Sequence, residues 1–272
     1  MTILATQWSL QRVSKTTLNN SEKETELHSP LLRWVSAKSL LEPEKLLRLG
    51  TLYGGWLIPV DSGLSSDSVC YTAGAGEDIS FDCALAERFH CLVRIIDPTP
   101  RAIQHFLQLE NAVRDGTAFP VNNSASNHYS ISSAAFKRLH FLPVGLAGQD
   151  ADFKFFYPRN PAHVSCSSVN LQKTDDYFIA KCLRLSSIRE LQGDVRIDML
   201  KMDIEGAEYG VLDDILAARS LPRLLLIEFD EVHCPLDATA SERIKAQFVR
   251  LAKAGMRCIA VEGSNATFVR DE

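Results

Sequence analysis

The sequence predicts an α/β protein with a doubly wound, mostly parallel sheet and one reversed strand at its C-terminal end. Beyond residue 68, short continuous apolar runs alternate with segments of helical spacing. This alternation is typical of parallel strands that are covered on both faces by helices. At the end of the chain, apolar runs over 258–261 and 266–269 flank Gly263-Ser264-Asn265. So short a link joins antiparallel strands, so one strand must run against the others.

The composition is that of an ordinary globular protein. The chain has 272 residues, of which 46% are hydrophobic and 23% charged, and its formal net charge is −5. These values argue against a disordered chain, a collagen-like repeat and a small disulfide scaffold. They also leave no basic footprint for nucleic acid. No apolar stretch approaches the roughly 18 residues expected of a membrane span.

The cysteines and the N-terminus bear on location. The seven cysteines are scattered and include no C-x-x-C pair, which is the pattern of reduced thiols. The first 20 residues lack the basic start and apolar core of a signal peptide. We therefore predict a cytoplasmic protein.

An N-terminal segment over 1–49 is predicted to precede one catalytic domain over 50–272. Residues 1–29 are polar and are interpreted as a mobile arm, with a disordered tail as the alternative. Between residues 30 and 49 the leucine spacing predicts one or two short helices, broken near Pro43 and stopped at Gly50. The glycines and aromatic residues of 51–60 predict a short hairpin.

The remaining elements follow in alternation. Strands are predicted over 69–73, 92–96, 139–146, 197–202 and 224–229, and helices over 78–90, 101–114, 207–218 and 241–254. Gly255 is placed at the C′ position of the last helix. Residues 149–185 do not continue the alternation and are predicted to be an insertion of short strands and loops that caps the site.

The first chemical signal is a glycine turn after the first predicted strand of the sheet. Gly74-Ala75-Gly76 separates that strand from a helix, which allows a tight turn and close approach of a ligand to the backbone. The helix N-terminus presents free N–H groups. Asp97 ends the second strand about 20 residues later, where a carboxylate can accept both hydroxyls of a ribose. The sequence therefore predicts nucleoside binding.

Two details indicate which nucleoside is bound. Ile79 stands where a dinucleotide fingerprint has its third glycine, and the helix opens with Glu77 and Asp78. These carboxylates would repel a pyrophosphate but suit a cationic ligand such as the amino and sulfonium groups of S-adenosylmethionine. A favourable pairing with the helix dipole is a compatible alternative. Asp97-Pro98 begins a stiff loop, which could also be no more than a rigid turn.

A second group of acidic residues follows the later strands. Asp203 ends one strand, Glu205 follows two residues later, and Gly206 allows a sharp turn into the next helix. The first turn of that helix contains Glu208, for which a helix-dipole role is predicted. The next strand ends in a further polar set, namely Glu228, Asp230, Glu231 and His233. Such a cluster suits proton removal from an alcohol or binding of a divalent cation, and a solvated acidic rim is the alternative.

These segments resemble the FkbM-type methyltransferase family. The resemblance rests on residues 69–89, 95–100 and 199–216, with support from 224–230 and 266–271. Its most specific part is the K-x-D-x-E-G-A-E motif from Lys201 to Glu208. It implies a class I, Rossmann-like fold with a seven-stranded sheet, S-adenosylmethionine as the cofactor, and methyl transfer to hydroxyls of natural products, sugars or glycans.

The resemblance also implies roles for individual residues. By motif position, Gly74, Gly76, Glu77 and Asp97 would line the cofactor. We include their neighbours Thr72, Ala75, Asp78 and Pro98 in the predicted cofactor site. Many members carry an acidic residue where this chain has Thr72, so Glu77 or Asp78 could replace that contact. Asp203 and Glu205 would lie over the reacting centre.

We therefore predict an O-methyltransferase in which Asp203 or Glu205 is the general base, with His163 or His233 in reserve. Its partner would be a small-molecule or glycan acceptor with a hydroxyl, and not nucleic acid. Alternatives are a nicotinamide-dependent oxidoreductase on a similar fold and a non-catalytic cofactor-binding domain. Mg²⁺, held by carboxylates at neighbouring strand ends, is a further hypothesis. The acceptor's identity and the oligomeric state stay open.

Overall fold

The computed structural model describes residues 29–124, 126–160 and 163–270, so residues 1–28 of the predicted arm lie outside the described part. Its strands are β1 (Leu46–Leu49), β2 (Trp56–Pro59), β3 (Val69–Ala73), β4 (Leu92–Ile96), β5 (Leu139–Leu142), β6 (Gly145–Leu146), β7 (Ala151–Phe156), β8 (Tyr177–Leu183), β9 (Met199–Met202), β10 (Leu224–Glu228), β11 (Met256–Glu262) and β12 (Asn265–Arg270). Its α-helices are α1 (Ser80–Phe89), α2 (Pro100–Asp115), α3 (Ser133–Phe136), α4 (Leu185–Gln192), α5 (Glu208–Ala217) and α6 (Ala240–Lys253).

The predicted sheet is present. Seven strands pair in the order β5, β4, β3, β9, β10, β12, β11. The strands from β5 to β10 pair in parallel, and β12 is antiparallel to both of its neighbours. The mostly parallel sheet with one reversed strand at the C-terminal end is therefore confirmed.

The continuous apolar strands explain why both faces of this sheet are covered. Successive residues of β10 point to opposite faces, so Leu225 and Ile227 join one buried cluster while Leu224 and Leu226 join the other. Helices α4, α5 and α6 pack on the first face, and α1, α2 and the β1–β2 hairpin pack on the second. A sheet covered in this way exposes its strand ends, and the carboxyl ends are where α/β proteins bind ligands.

The prediction over residues 30–49 is partly wrong. Short 3-10 helices form at Pro30–Trp34 and Pro43–Lys45, but Leu46–Leu49 is a strand that pairs with β2. Between Pro43 and Gly50 there is room for less than two turns, too few for a stable helix, whereas the strand gains a partner. Gly50, at φ +84°, opens the loop of this hairpin and does not stop a helix.

The predicted strand over 139–146 is divided. Strand β5 ends at Leu142, and β6 belongs to a separate sheet with β8 and β7. Pro143 lies at the break, where a residue without an N–H cannot continue a ladder. The predicted insertion over 149–185 contains β7 and β8, so it forms most of this smaller sheet. Helix α4 was not predicted. No described helix has the length and apolar character needed to cross a membrane.

Candidate active site

A cavity of about 460 Å³ lies at the carboxyl ends of β3, β4, β9 and β10. One end is formed by the glycine turn and the residues after β4. The other end is formed by the residues after β9 and β10 and by the β11–β12 turn. The β1–β2 loop and cap residues 164–166 complete the wall. The carboxyl ends of the parallel strands thus bring the two predicted groups of residues into one space.

The glycine turn is fixed by a very close contact between strand ends. Gly74 has φ +84°, and a Cβ atom built on it would lie 1.7 Å from the carbonyl oxygen of Asp203. A side chain is therefore excluded there on both conformational and steric grounds. The backbone of β3 and β9 meets at this point, so the turn and Asp203 hold one another in place.

Asp97 is buried and shapes the same turn. Its Oδ2 accepts hydrogen bonds from the backbone nitrogens of Ala75, at 2.8 Å, and Gly76, at 3.1 Å. Its Oδ1 accepts from the nitrogen and hydroxyl of Thr99, at 2.8 and 2.6 Å. All four acceptor positions of this carboxylate thus face protein donors. A ribose contact would require one of these donors, most simply the Thr99 hydroxyl, to give way.

Glu77 and Asp78 line the cavity, but both have partners. Arg101 donates two hydrogen bonds to Glu77, at 3.1 and 2.7 Å, and a third to the carbonyl of His163 at 3.1 Å. Asp78 accepts the Thr51 hydroxyl at 2.6 Å. Arg101 therefore links Glu77 to the cap, and Asp78 anchors the β1–β2 loop. Because Arg101 balances its charge, Glu77 is a poorer cation site than the sequence indicated.

Thr72 points away from the cavity. It is buried, and its hydroxyl donates to the carboxylate of Asp82 on α1. Sequence reasoning missed Asp82, although an aspartate between Phe81 and Cys83 on the apolar face of a helix is a signal of a buried polar contact. Burial raises the pKa of Asp82 to about 6, against the opposing effect of Lys201. Where many family members have an acidic residue, this chain thus has a threonine, and the nearby carboxylate is that of Asp82 on α1.

Lys201 connects the two ends of the cavity, and it too was missing from the predicted site. Its Nζ donates to the carbonyl of Gly74 at 2.7 Å and to Oδ2 of Asp203 at 3.1 Å. Burial opposes its charge, but Asp203 and Asp82 outweigh burial and raise its pKa. The buried ammonium therefore stays charged and forms an ion pair with Asp203.

Glu205 has an unusual backbone and an unusual acidity. Its φ is +58°, a conformation that non-glycine residues adopt mainly at turns and functional sites. The Ser167 hydroxyl of the cap donates to its carbonyl and so fixes the turn. Burial, reinforced by the charge of Asp203, raises the pKa of its carboxyl to about 7. A carboxyl group balanced near neutral pH is what general base catalysis needs.

Glu228 extends the group of carboxyls but is held neutral. It accepts a hydrogen bond from the Ser264 hydroxyl at 2.8 Å. Burial, reinforced by Asp203, raises its pKa to about 9, so it carries a proton at neutral pH. Burial and neighbouring carboxyls also raise the pKa of Asp230, which accepts from the nitrogen of Gly206 at 3.0 Å.

This environment bears on the magnesium hypothesis. Mg²⁺ takes oxygen ligands in a near-octahedral arrangement, so carboxylates from neighbouring strand ends would have to converge on one point. No group of three or more His, Cys, Asp or Glu side chains in the described part of the chain is arranged to hold a metal ion. The hypothesis therefore finds no support in the geometry.

Glu208 has a structural role, but the contacts it makes are hydrogen bonds to the preceding turn, and burial raises the pKa of its carboxyl to about 7. It is 1% exposed at the first residue of α5, and its Oε1 accepts hydrogen bonds from the nitrogens of Ile204, at 3.0 Å, and Gly206, at 3.3 Å. The carboxyl group thus caps the turn that carries Glu205. It does not line the cavity.

The two reserve histidines differ in position. His233 lies at the exposed rim and lines the cavity, whereas His163 is exposed and does not line it. The structure places most of the predicted site residues around the cavity, namely Gly74, Ala75, Gly76, Glu77, Asp78, Asp97, Pro98, Asp203, Glu205 and His233. It leaves Thr72 and His163 outside. Tyr53, Trp56 and Asn265 line the wall without having been predicted.

Comparisons with known proteins agree with this geometry. The methyltransferase FkbM domain matches residues 75–257, about two thirds of the chain. No curated protein matches.

Two solved structures with similarity to the chain are fibrillarins. The fibrillarin pre-rRNA processing protein of Methanococcus jannaschii is 13% identical at a TM-score of 0.38, over 75% of this chain and 66% of that one. Aeropyrum pernix fibrillarin, in complex with natively bound S-adenosyl-L-methionine, is 12% identical at a TM-score of 0.38, over 78% and 70%. Likenesses this weak carry no conclusion about function.

Proposed function

We propose that this protein methylates a hydroxyl group. The premise is that the chain belongs to the FkbM methyltransferase family and is thus an S-adenosylmethionine-dependent methyltransferase. The acceptor would be a natural product, a sugar or a glycan. The observation that carries this proposal is the single cavity that joins the glycine turn to the carboxyl groups after β9 and β10. A nicotinamide-dependent reaction does not agree with the family.

The cofactor end of the cavity fits a nucleoside with a charged amino-acid tail. Gly74 and Gly76 leave the turn without side chains, so a ligand can approach the backbone closely. Asp97, Pro98 and Thr99 would lie near the ribose. The cap and β6 supply an apolar wall that suits an adenine ring, formed by Leu146, Phe155, Val164 and Cys166.

The carboxyl groups at the acceptor end of the cavity have different roles in the proposed reaction. When bound, S-adenosylmethionine supplies a methyl carbon on a sulfonium centre, whose sulfur leaves as a neutral thioether. The protein therefore needs to align the hydroxyl with that carbon and to accept its proton as the oxygen–carbon bond forms. Glu205 suits proton acceptance, since Asp203 is paired with Lys201 and Glu228 is protonated. We therefore assign the base to Glu205 and a positioning role to Asp203.

Several finer assignments belong to the same proposal. The strand order with one reversed strand supports a class I, Rossmann-like methyltransferase domain over residues 50–272, with the cap at 149–185. The acidic cavity and the net charge of −5 favour an uncharged small acceptor over nucleic acid. The seven cysteines are all free, in keeping with a cytoplasmic location.

The test is to identify the labelled product. The protein is incubated with methyl-labelled S-adenosylmethionine and an extract of its producing organism, and the Glu205→Gln variant serves as the matched control. The proposal expects a labelled small molecule whose new methyl group is bonded to oxygen, formed by the wild type and strongly reduced in the variant. A methyl group on nitrogen or carbon would overturn the O-methylation assignment.

A further inference from the structure

A second cavity, of about 610 Å³, lies directly behind the turn that carries Glu205. It is bordered by the first turns of α5, by loop residues 147–149 and by cap residues 168–171. Ser168 and Ala207 line both this cavity and the candidate active site. The two cavities are thus adjacent, and the residues that face both of them are small.

The chemistry of the second cavity differs from that of the first. Its charged groups all have charged partners: Arg243 donates to Glu231 at 2.9 Å within the wall, and Asp213 is paired with Arg250, which lies outside it. The backbone nitrogen of Leu236 also donates to Glu231, at 3.1 Å. Much of the rest of the wall is apolar and comes from the cap and the loops around it, namely Ala147, Phe153, Val169, Leu171 and Leu236. Such a wall offers burial of apolar surface, and Gln149, Ser168 and Tyr209 are its uncharged polar side chains.

We infer that the second cavity binds the apolar body of the methyl acceptor while the acceptor's hydroxyl reaches Glu205 in the first. This inference rests on the proposed methyl transfer to a hydroxyl. The acceptor is then an amphipathic molecule, with its hydroxyl carried on an uncharged apolar ring or chain, and a bare sugar binds weakly. The reason is adjacency: because Ser168 and Ala207 face both cavities, a ligand held at this edge meets carboxyl groups on one side and apolar side chains on the other.

Gly210 offers a way to close the second cavity. It lines the cavity on α5, and a Cβ atom built on it would have only the backbone nitrogen of Gly148 within 4 Å, at 3.9 Å. A Cβ atom at this position therefore meets no backbone clash, and because Gly210 lines the cavity a larger side chain there takes up part of its space. Gly210→Leu fills space there, and Gly210→Ala is the matched control because it removes the glycine but adds one methyl group.

The experiment compares hexyl β-D-glucopyranoside with methyl β-D-glucopyranoside, which share a head group and differ in apolar length. Calorimetry on the protein saturated with S-adenosylhomocysteine measures both affinities. We expect the hexyl compound to bind at least tenfold more tightly, because each buried methylene adds to the hydrophobic driving force. Gly210→Leu should abolish this advantage, and Gly210→Ala should keep it, with unchanged affinity for S-adenosylhomocysteine in both.

The outcomes separate this inference from the proposed function. Failure of S-adenosylhomocysteine to bind would contradict the proposed function itself. Normal binding of S-adenosylhomocysteine, with equal affinity for the two glucosides or no binding of the hexyl compound, would overturn the inference alone. Leu236→Asp, which places a charge on a residue that is 42% exposed at the cavity wall, is the second variant if Gly210→Leu does not fold. It should likewise remove the hexyl advantage.

Discussion

The two ends of the candidate active site handle acidic side chains in opposite ways. At the cofactor end, Asp97 accepts four hydrogen bonds and Glu77 is paired with Arg101. At the acceptor end, Asp203, Glu205 and Glu228 lie together, and the ammonium group of Lys201 bonds only to the first of them. One end is therefore electrostatically satisfied and the other carries an excess of carboxyl groups.

This difference separates two kinds of function. A satisfied carboxylate holds a fixed shape, and a turn that needs glycine for steric reasons does the same without any charge. Crowded and buried carboxyl groups instead raise one another's pKa, which gives one of them the proton affinity of a base at neutral pH. Binding of the cofactor should thus depend on shape, and turnover should depend on pH.

The largest effect is expected from Glu205→Gln. This change keeps the size of the side chain and removes the proton acceptor, so kcat should fall by about 10²- to 10⁴-fold. Affinity for S-adenosylhomocysteine should stay within about threefold of the wild type, since the cofactor end is untouched. Steady-state kinetics with the identified acceptor, together with calorimetry, would measure both quantities.

The pH profile sharpens the same prediction. Because the pKa of Glu205 is raised to about 7, wild-type kcat should increase as the pH rises through about 7. The variant should lose this dependence. A variant that keeps both near-normal turnover and the pH profile would transfer the base role to His233 or to water.

Gly74→Ala tests whether cofactor binding depends on the shape of the glycine turn at the cofactor end. The added Cβ atom would lie 1.7 Å from the carbonyl oxygen of Asp203, and the residue would need φ +84°. We expect affinity for S-adenosylhomocysteine to fall by about a hundredfold, from displacement of the turn and backbone strain. Gly116→Ala is the matched control, because Gly116 also has a positive φ, +67°, but has no other atom within 4 Å of the added Cβ. Equal affinities in the two variants would remove the turn from the cofactor site.

Asp97→Asn should have a smaller effect on the same end. The amide keeps the size of the carboxylate. Its NH₂ group, however, faces N–H or O–H groups that now donate hydrogen bonds to Asp97, and it cannot accept those bonds. The loss of charge-assisted hydrogen bonds predicts about a tenfold loss of affinity for S-adenosylhomocysteine. Calorimetry at one fixed pH would show it, and an unchanged dissociation constant would mean that this carboxylate neither shapes nor contacts the cofactor end.

The smallest expected effect is on stability and concerns the acceptor end. The folded pKa of Glu228 is raised to about 9, so the folded protein binds a proton that the unfolded chain has released above about pH 4.3. Its contribution to stability is complete below that pH and is lost as the pH rises toward 9. Glu228→Gln mimics the protonated form, so its Tm relative to the wild type should rise by a few degrees between pH 6 and pH 9. A constant difference in Tm over this range would contradict the raised pKa.

Patterns local in sequence predicted much of the fold. The strands over 69–73 and 92–96 matched to the residue, because continuous apolar runs bounded by glycine or proline leave few alternatives. The antiparallel orientation of β12 was predicted from the shortness of the turn that joins it to β11. In contrast, Leu46–Leu49 was predicted as helix, since a short leucine-rich run takes its structure from whatever partner lies nearby.

The candidate site was predictable in position but not in detail. Strand ends meet at one edge of a parallel sheet, so the spacing alone placed Asp97, Asp203 and Glu205 in one cavity. Whether each carboxylate has a partner depends on residues distant in sequence, such as Arg101 for Glu77. Asp82 and Lys201 were missed although each carried a local signal, an aspartate on the apolar face of a helix and a lysine within a buried strand two residues before Asp203. The second cavity has no signature in the sequence.

The most direct test of the division into two ends is a crystal structure of the complex with S-adenosylhomocysteine. We predict the nucleoside between the glycine turn and Asp97, with the thioether sulfur directed toward Glu205 and no ligand atom beyond Ala207. A nucleoside bound among Asp203, Glu205 and Glu228, or in the second cavity, would contradict the account.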